Sequence, residues 1–173
     1  VPASSFDGKA FSHTLSFKDG VQSVNVEAID EFDNKMAITR KIIVDSKKPT
    51  VEAVKKSLPK GKLDADAENP VIQVKVGDNF DEVRLYLNDS EVFYRPVSSP
   101  YAMNGYSETI DVELPLEPGT NEFVLKVVDL VGHETTQTIT VEKKENGKGN
   151  GNGNGNGNGN GNGNGNGKGN GKK

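Results

Sequence analysis

The chain contains 173 residues with a net charge of −4 and no Cys, so neither a disulfide framework nor a thiolate metal site can form. The acidic balance argues against nucleic acid as a partner. No apolar run reaches the roughly 18 residues that would predict a membrane span. The hydrophobic fraction of 32% is low for a globular protein, partly because residues 146–173 are almost entirely Gly and Asn.

The N-terminal part of the chain alternates between apolar and polar side chains. Val24, Val26 and Ala28 share one face of a predicted strand that follows a turn ending at Gly20. Alternation with period two is typical of a strand with one buried face. The same alternation places His13 at an inward-facing position, where we expect a packed strand residue.

Residues 47–145 carry this period over a longer stretch. Ile72, Val74 and Val76 alternate with polar residues, and turn-forming residues such as Asn88-Asp89-Ser90 separate the runs. The pattern predicts seven strands, near residues 50–54, 71–77, 82–88, 91–95, 107–114, 121–129 and 135–142.

The sequence also repeats itself at a spacing of 99 residues. Gly20 aligns with Gly119, and Val26 aligns with Leu125, so turn positions fall on turn positions and inward positions on inward ones. Such self-similarity indicates a duplicated module of about 95–100 residues, the size of an immunoglobulin-like sandwich.

We therefore predict an all-β chain of tandem immunoglobulin-like or fibronectin-III-like β-sandwiches, the first one truncated, followed by a disordered Gly-Asn tail. Residues 1–46 would be the C-terminal part of one module, residues 47–145 a complete module, and residues 146–173 the tail. Half a sandwich leaves open strand edges and an uncovered apolar face, so we expect the natural polypeptide to continue upstream of Val1. Alternating Gly and Asn cannot bury enough apolar area to offset the entropy of ordering.

Each repeat ends in a strand, an Asp, a tight turn and another strand. Asp30 is followed by Asp33-Asn34, and Asp129 is followed by Gly132-His133. This ending resembles the A-x-D-x-x-G-N pattern of bacterial extracellular immunoglobulin-like and fibronectin-III-like modules, with Asp33 at the usual Gly and His133 at the usual Asn. Because Asp tolerates positive φ, we expect the first turn to be kept, whereas His133 is expected to alter the second turn in detail.

Residues 78–93 are similar to modules that follow the catalytic domain in cell-envelope subtilisin-like serine proteases, the lactocepins. The linker from Val44-Asp45 to Pro49 resembles the V-D-x-x-x-P that begins the next module in such arrays. The resemblance covers residues 11–142. It implies an extracellular protein, secreted or associated with the cell envelope, and a serine endopeptidase whose catalytic residues lie upstream. Such modules also accompany glycosidases and adhesins.

We expect no catalytic residue and no cofactor-binding residue in the chain itself. Subtilisin-type catalysis requires Ser, His and Asp from three separate motifs, and none of these motifs is present. The two His residues, His13 and His133, are predicted to lie in a strand and in a turn.

Calcium is the alternative role for the carboxylates. Turn oxygens hold Ca²⁺ weakly in many extracellular modules, and the candidate ligands are Asp30, Asp33, Asp64 and Asp66. The competing interpretation is that Asp30 and Asp129 accept backbone N–H bonds within their own turns, which requires no metal.

An aromatic cluster in the sequence is the candidate ligand-binding surface. Phe93, Tyr94, Tyr101 and Tyr106 lie close together along the chain. Exposed together, they would form a face for a glycan or a peptide. In the alternative interpretation they close one end of the sandwich.

These observations predict a non-catalytic accessory or spacer region of a secreted subtilisin-like serine protease, supporting presentation of the catalytic domain and contributing to substrate recognition. The alternative function is a cell-wall glycan- or protein-binding module of an adhesin or glycosidase. The expected partners are upstream domains of the same polypeptide. The Lys residues of the tail have two interpretations: they contact anionic cell-wall polymer, or they only aid solubility.

Overall fold

A computed structural model describes residues 5–6, 8–98 and 103–145. All regular structure within these ranges is β-strand, which confirms the predicted all-β class. These ranges contain no helix that is long and apolar enough to cross a membrane. Tyr101 and the proposed tail lie outside the described residues.

The strands are β1 (Ser5–Phe6), β2 (Phe11–Ser12), β3 (Gly20–Ile29), β4 (Lys35–Val44), β5 (Thr50–Ala53), β6 (Val71–Asp78), β7 (Val83–Leu87), β8 (Ser90–Arg95), β9 (Tyr106–Glu113), β10 (Gly119–Asp129) and β11 (Glu134–Lys143).

Strands β5 to β11 form two antiparallel sheets, one with the order β5-β6-β9 and one with the order β11-β10-β7-β8. All seven strands predicted between residues 47 and 145 are present. They form because alternation gives each strand an apolar face: in β6, Ile72, Val74 and Val76 are buried and the residues between them are exposed. Two facing antiparallel sheets with these connections are the layout of immunoglobulin-like and fibronectin-III-like sandwiches.

The hydrophobic core lies between the two sheets and draws on both. Leu114 and Leu125 are completely buried, and burying a Leu side chain contributes about 1.5–3 kcal/mol to folding. The buried cluster consists of Ala53, Ile72, Val74, Val76, Val83, Leu85, Leu87, Val112, Leu114, Leu116, Phe123, Leu125, Val127, Ile139 and Val141.

The connection between β5 and β6 is a loop that packs on the sandwich. Leu58 and Leu63 contact the core cluster. The Leu63 N–H donates to the Glu142 carbonyl oxygen at 2.9 Å, and the Lys144 N–H donates to the Leu63 carbonyl oxygen at 2.9 Å. These two bonds attach the loop to the edge of β11.

The turn between β7 and β8 uses left-handed backbone. Asn88 has a φ of 47° and Asp89 a φ of 66°, the conformation of a two-residue turn whose twist matches a β-hairpin. The Asn88 side-chain oxygen accepts the Val124 N–H at 2.8 Å. The predicted turn at this position is therefore confirmed, and it is also tied to β10.

Strands β3 and β4 form a separate hairpin, paired from Gly20↔Val44 to Ile29↔Lys35. Its apolar face borders an open cavity of about 630 Å³, which Phe11 and His13 also line. His13 is exposed, so the prediction of a packed strand residue is wrong. His13 does line the cavity on the apolar side of the hairpin, but that cavity is open and its side chain is exposed.

Candidate functional site

The turn between β10 and β11 is organised by a buried carboxylate. Asp129 is 6% exposed, and its Oδ1 accepts the N–H of Val131 at 2.9 Å and of His133 at 2.8 Å. Its Oδ2 lies 3.0 Å from His133 Nδ1. Carboxylate acceptors of this kind take the place of backbone partners in tight turns, so the prediction that Asp129 holds its own turn is confirmed.

The equivalent turn in the β3–β4 hairpin has the same bonds. Asp30 Oδ1 accepts the N–H of Phe32 and of Asn34, each at 2.9 Å. Positive φ occurs at Asp33 and at Gly132, but not at His133. The expectation that His133 changes the second turn fails for this reason: its backbone does not need the left-handed conformation.

His133 joins the β10–β11 turn to the linker that follows β4. Its Nδ1 lies 2.8 Å from the Lys47 carbonyl oxygen. A carbonyl oxygen only accepts hydrogen bonds, so Nδ1 carries the proton and donates it. Thr135 adds a second link, because its hydroxyl donates to the Pro49 carbonyl oxygen at 2.5 Å.

Asp45 and Asn79 meet on the other side of the linker. Asp45 directly follows β4, and its Oδ1 accepts the Asn79 side-chain N–H at 3.0 Å and the Lys47 N–H at 3.0 Å. The other side-chain oxygens, Asp45 Oδ2 and Asn79 Oδ1, are buried and make no hydrogen bond with the described residues.

Asp78 ends β6 beside these groups. Its Oδ2 accepts the Phe80 N–H at 2.9 Å, while its Oδ1 is buried without a hydrogen-bond partner among the described residues. Burial raises the pKa of Asp78, and the negative charges of Asp45 and Asp129 raise it further, against the lowering effect of two backbone N–H bonds. The Asp78 carboxyl therefore lies within electrostatic reach of both other carboxylates.

We call this group of five residues, Asp45, Asp78, Asn79, Asp129 and His133, the junction site. Ligand atoms of Asp45, Asp129 and His133 lie within 4.8 Å of one another, the only such grouping of three or more His, Cys, Asp or Glu side chains in the described ranges. The site combines the end of β4, the β6–β7 connection and the β10–β11 turn. Sequence reasoning did not identify it as a cluster, since its members are far apart along the chain.

The four predicted calcium ligands are not brought together. Both carboxylate oxygens of Asp30 are engaged by its own turn, since Asn34 Nδ2 also donates to Oδ2 at 2.8 Å, and these bonds lower the Asp30 pKa. Asp64 pairs with Lys144 at 2.6 Å, which lowers the Asp64 pKa. Asp33 and Asp66 are exposed. None of the four belongs to the metal-compatible grouping found in the described residues.

The aromatic residues are also separated. Phe93 packs against the core, while Tyr94, one position along β8, is 42% exposed on the outer face. Tyr106 contacts the core from β9, in the other sheet, and its hydroxyl is hydrogen bonded to Glu108. Tyr101 lies outside the described residues. Among the described members, only Tyr94 keeps a substantially exposed ring.

Basic side chains accompany the tyrosines on the outer face of the four-stranded sheet. The Arg84 guanidinium stacks 4.1 Å from the centre of the Tyr94 ring, and the Lys126 ammonium lies 5.1 Å from the centre of the Tyr86 ring. Cations attract the negative face of an aromatic ring. One face of each ring is thus occupied by a side chain of the same protein.

No protein-family model matches the chain, and no curated protein matches it. Among solved structures, the fibronectin(III)-like modules of Clostridium thermocellum CbhA are similar, with 15% sequence identity and a TM-score of 0.41. The alignment covers 73% of this chain and 64% of that one, so the chain spans about two thirds of the length of the structure it matches.

Proposed function

We propose that the chain is a non-catalytic accessory segment of a secreted bacterial protein, and that this protein is a subtilisin-like serine protease. In this proposal the β modules position the catalytic domain relative to the cell surface and contribute to substrate recognition. The observation that carries the accessory role is the attachment of the linker to the sandwich, which is suited to holding neighbouring domains at a defined distance.

The linker is fixed at three points along its length. Asn79 contacts the Asp45 side chain, His133 contacts the Lys47 carbonyl oxygen, and Thr135 contacts the Pro49 carbonyl oxygen. Pro49 itself is buried. A linker without such contacts behaves as a flexible coil, whereas this linker is bonded to the sandwich at Asp45, Lys47 and Pro49. That property supports a spacer better than it supports an enzyme.

The contacts of His133 support the non-catalytic part of the proposal. In a serine protease the His accepts the proton of the Ser hydroxyl and is oriented by an Asp. His133 has its Asp, but the nitrogen beside it also donates to the Lys47 carbonyl oxygen. Among the described residues, the hydrogen-bond partners of His133 are Asp129 and Lys47, and neither is a Ser. The protease context itself rests on the sequence similarity of residues 78–93 to lactocepin modules.

The same proposal implies where the segment is located and which partners it has. An accessory region of a secreted protease is extracellular, and its partners are the domains that precede it in the polypeptide. The proposed tail at residues 146–173 carries Lys and no acidic residue, so we propose that it contacts anionic cell-wall polymer. Binding of the chain to purified cell wall that falls with increasing salt would support this contact.

The test of the protease context is the sequence of the gene upstream of the codon for Val1. We expect an in-frame catalytic domain with the Ser, His and Asp motifs of a subtilisin-like enzyme. An upstream frame that holds further β modules and no catalytic domain would overturn the protease context. It would leave the spacer role to be tested in the longer protein.

A binding module is the second candidate function, and the row of Arg84, Tyr94, Tyr86 and Lys126 favours it. This row presents aromatic and basic groups together on the outer face of the sandwich, as glycan- and peptide-binding surfaces do. Saturable binding to purified cell wall that is lost in Tyr94→Ala would support it. Phe32→Ala is the matched control, since Phe32 is 76% exposed on the other hairpin.

A further inference from the structure

We propose that the junction site is a Ca²⁺-binding site, with the side-chain oxygens of Asp45, Asp78, Asn79 and Asp129 as ligands. The ion would lie where the linker meets the sandwich. This inference concerns the chain alone and does not depend on the identity of the parent protein.

The first argument is the buried oxygens. Asp45 Oδ2, Asp78 Oδ1 and Asn79 Oδ1 each expose less than 1 Å² and make no hydrogen bond with the described residues. Buried polar atoms in folded proteins are almost always satisfied, and an exception indicates a water or an ion. Asn79 is hydrogen bonded to Asp45, and Asp78 interacts electrostatically with Asp45 and Asp129. A cation bound among these side chains would give the unsatisfied oxygens a partner.

The second argument is charge. Three carboxylates share the site, and none of the ion pairs formed by the described residues includes Asp45 or Asp78. Close carboxylates repel one another, more strongly as water is excluded. A divalent cation bound between them would remove this repulsion.

The third argument concerns the kind of cation. Carboxylate and amide oxygens are hard ligands, which Ca²⁺ accepts in a flexible geometry, whereas Mg²⁺ requires near-ideal octahedral geometry and zinc favours nitrogen and sulfur. His133 Nδ1 donates a proton to the Lys47 carbonyl oxygen, so this nitrogen has no lone pair for a metal. In this proposal His133 is not a ligand, and it positions Asp129 and the linker.

The experiment uses the complete 173-residue chain, freed of metal with a chelator and titrated with CaCl₂ by calorimetry. We expect saturable binding with a dissociation constant on the order of 10⁻⁴ to 10⁻³ M, the range of extracellular modules. Amide NMR spectra of labelled protein should show the largest shifts at Asp45, Asp78, Asn79 and Asp129. Asp45→Asn and Asp78→Asn should each weaken binding by about tenfold or more.

Asp30→Asn is the matched control, because Asp30 holds the equivalent turn but is exposed and does not belong to the metal-compatible grouping. It should bind Ca²⁺ like the unchanged chain. Asp45 lies in the linker, outside the hydrophobic core, so the dispersion of the Asp45→Asn amide spectrum tests whether that variant is folded. Unaltered affinity in a folded Asp45→Asn variant would overturn the proposal.

Three other results would also overturn it. One is the absence of saturable heat and amide shifts up to 10 mM Ca²⁺, well above the expected constant. Another is binding of Zn²⁺ without binding of Ca²⁺. The third is an Asp30→Asn variant that loses as much affinity as Asp45→Asn.

Discussion

Asp30 and Asp129 hold two turns of the same construction, 99 residues apart, each accepting two backbone N–H bonds through Oδ1. Their surroundings differ. Asp30 is exposed in the β3–β4 hairpin, while Asp129 is buried in a turn that contacts the linker through His133. Equal hydrogen bonds in unequal environments should therefore contribute unequally to stability.

Replacing Asp129 should destabilise the sandwich much more than replacing Asp30. Asp129→Ala leaves the Val131 and His133 N–H groups without their acceptor in a water-poor site, and we expect a loss of about 1–3 kcal/mol in the free energy of unfolding. Asp30→Ala leaves the Phe32 and Asn34 N–H groups free to bond to water, so it should change the free energy of unfolding by less than about 0.5 kcal/mol. Urea unfolding followed by circular dichroism, with a chelator present, measures both. Equal losses would contradict this explanation.

The repeat offers a second comparison in the apolar positions. Val26 aligns with Leu125, but Leu125 is fully buried and Val26 borders the open cavity. Leu125→Ala should cost about 2–5 kcal/mol, because it removes buried methyl groups and leaves a void. Val26→Ala should cost less than about 1 kcal/mol. A large loss from Val26→Ala in urea unfolding would show that this face is covered in solution.

The Asp81–Ser98 pair should make stability depend on acid pH. Asp81 is 3% exposed, and Ser98 donates to it through its hydroxyl and through its N–H, which lowers the Asp81 pKa against the opposing effect of burial. A carboxyl whose pKa is lowered by folding stabilises the folded protein at pH values above about 4, the ordinary pKa of Asp. This stabilisation is lost as the pH falls through the folded-state pKa.

Ser98→Ala should therefore destabilise the protein by about 1–3 kcal/mol at pH 7. The unchanged protein loses stability as the pH falls below about 4, and in the Ser98→Ala variant this acid-induced loss should be smaller. Thermal unfolding between pH 2 and pH 7 provides the measurement. Parallel pH profiles for the two proteins would show that Ser98 does not set the Asp81 pKa.

A methyl group at Gly77 should disturb the pairing of β6 with its neighbours. An added Cβ would lie 3.0 Å from the Tyr106 carbonyl oxygen and 3.2 Å from Thr50 Oγ1. We expect Gly77→Ala to cost about 1–3 kcal/mol through this overpacking. Gly132→Asn is the comparison, since space is open there and Asn tolerates left-handed backbone. Thermal unfolding should rank Gly77→Ala as the more damaging change.

The strands could be predicted from the sequence because one physical rule determines them. A strand with one buried face must alternate, and in β6, β7 and β10 the buried apolar residues fall at every second position. The turn at Asn88 and Asp89 could also be predicted from the sequence, since both residue types tolerate the left-handed backbone found there. His13 followed the same alternation yet is exposed, because alternation specifies a side of a strand and not what covers that side.

The junction site could not be predicted in this way. Asp45, Asp78 and Asp129 lie at the ends of three different strands, β4, β6 and β10, and only the packing of the linker on the sandwich brings them near one another. The carboxylates that stood out in the sequence, Asp64 and Asp66, did so because they are close along the chain. One of them pairs with Lys144 and the other is exposed.

The lengths of the strands have a mechanical consequence. β5 pairs with β6 over only four residues, from Thr50↔Gly77 to Ala53↔Val74, whereas β10 and β11 pair along ten. Tension between the linker and the end of β11 would load β5 first, and we expect this strand to detach before the sheets separate. Residues 50–70, once released, would span up to about 70 Å at 3.3–3.6 Å per residue. Under tension the module would then lengthen in a first step while its two sheets stay together. Single-molecule pulling should show the detachment of β5 as a separate extension before full unfolding.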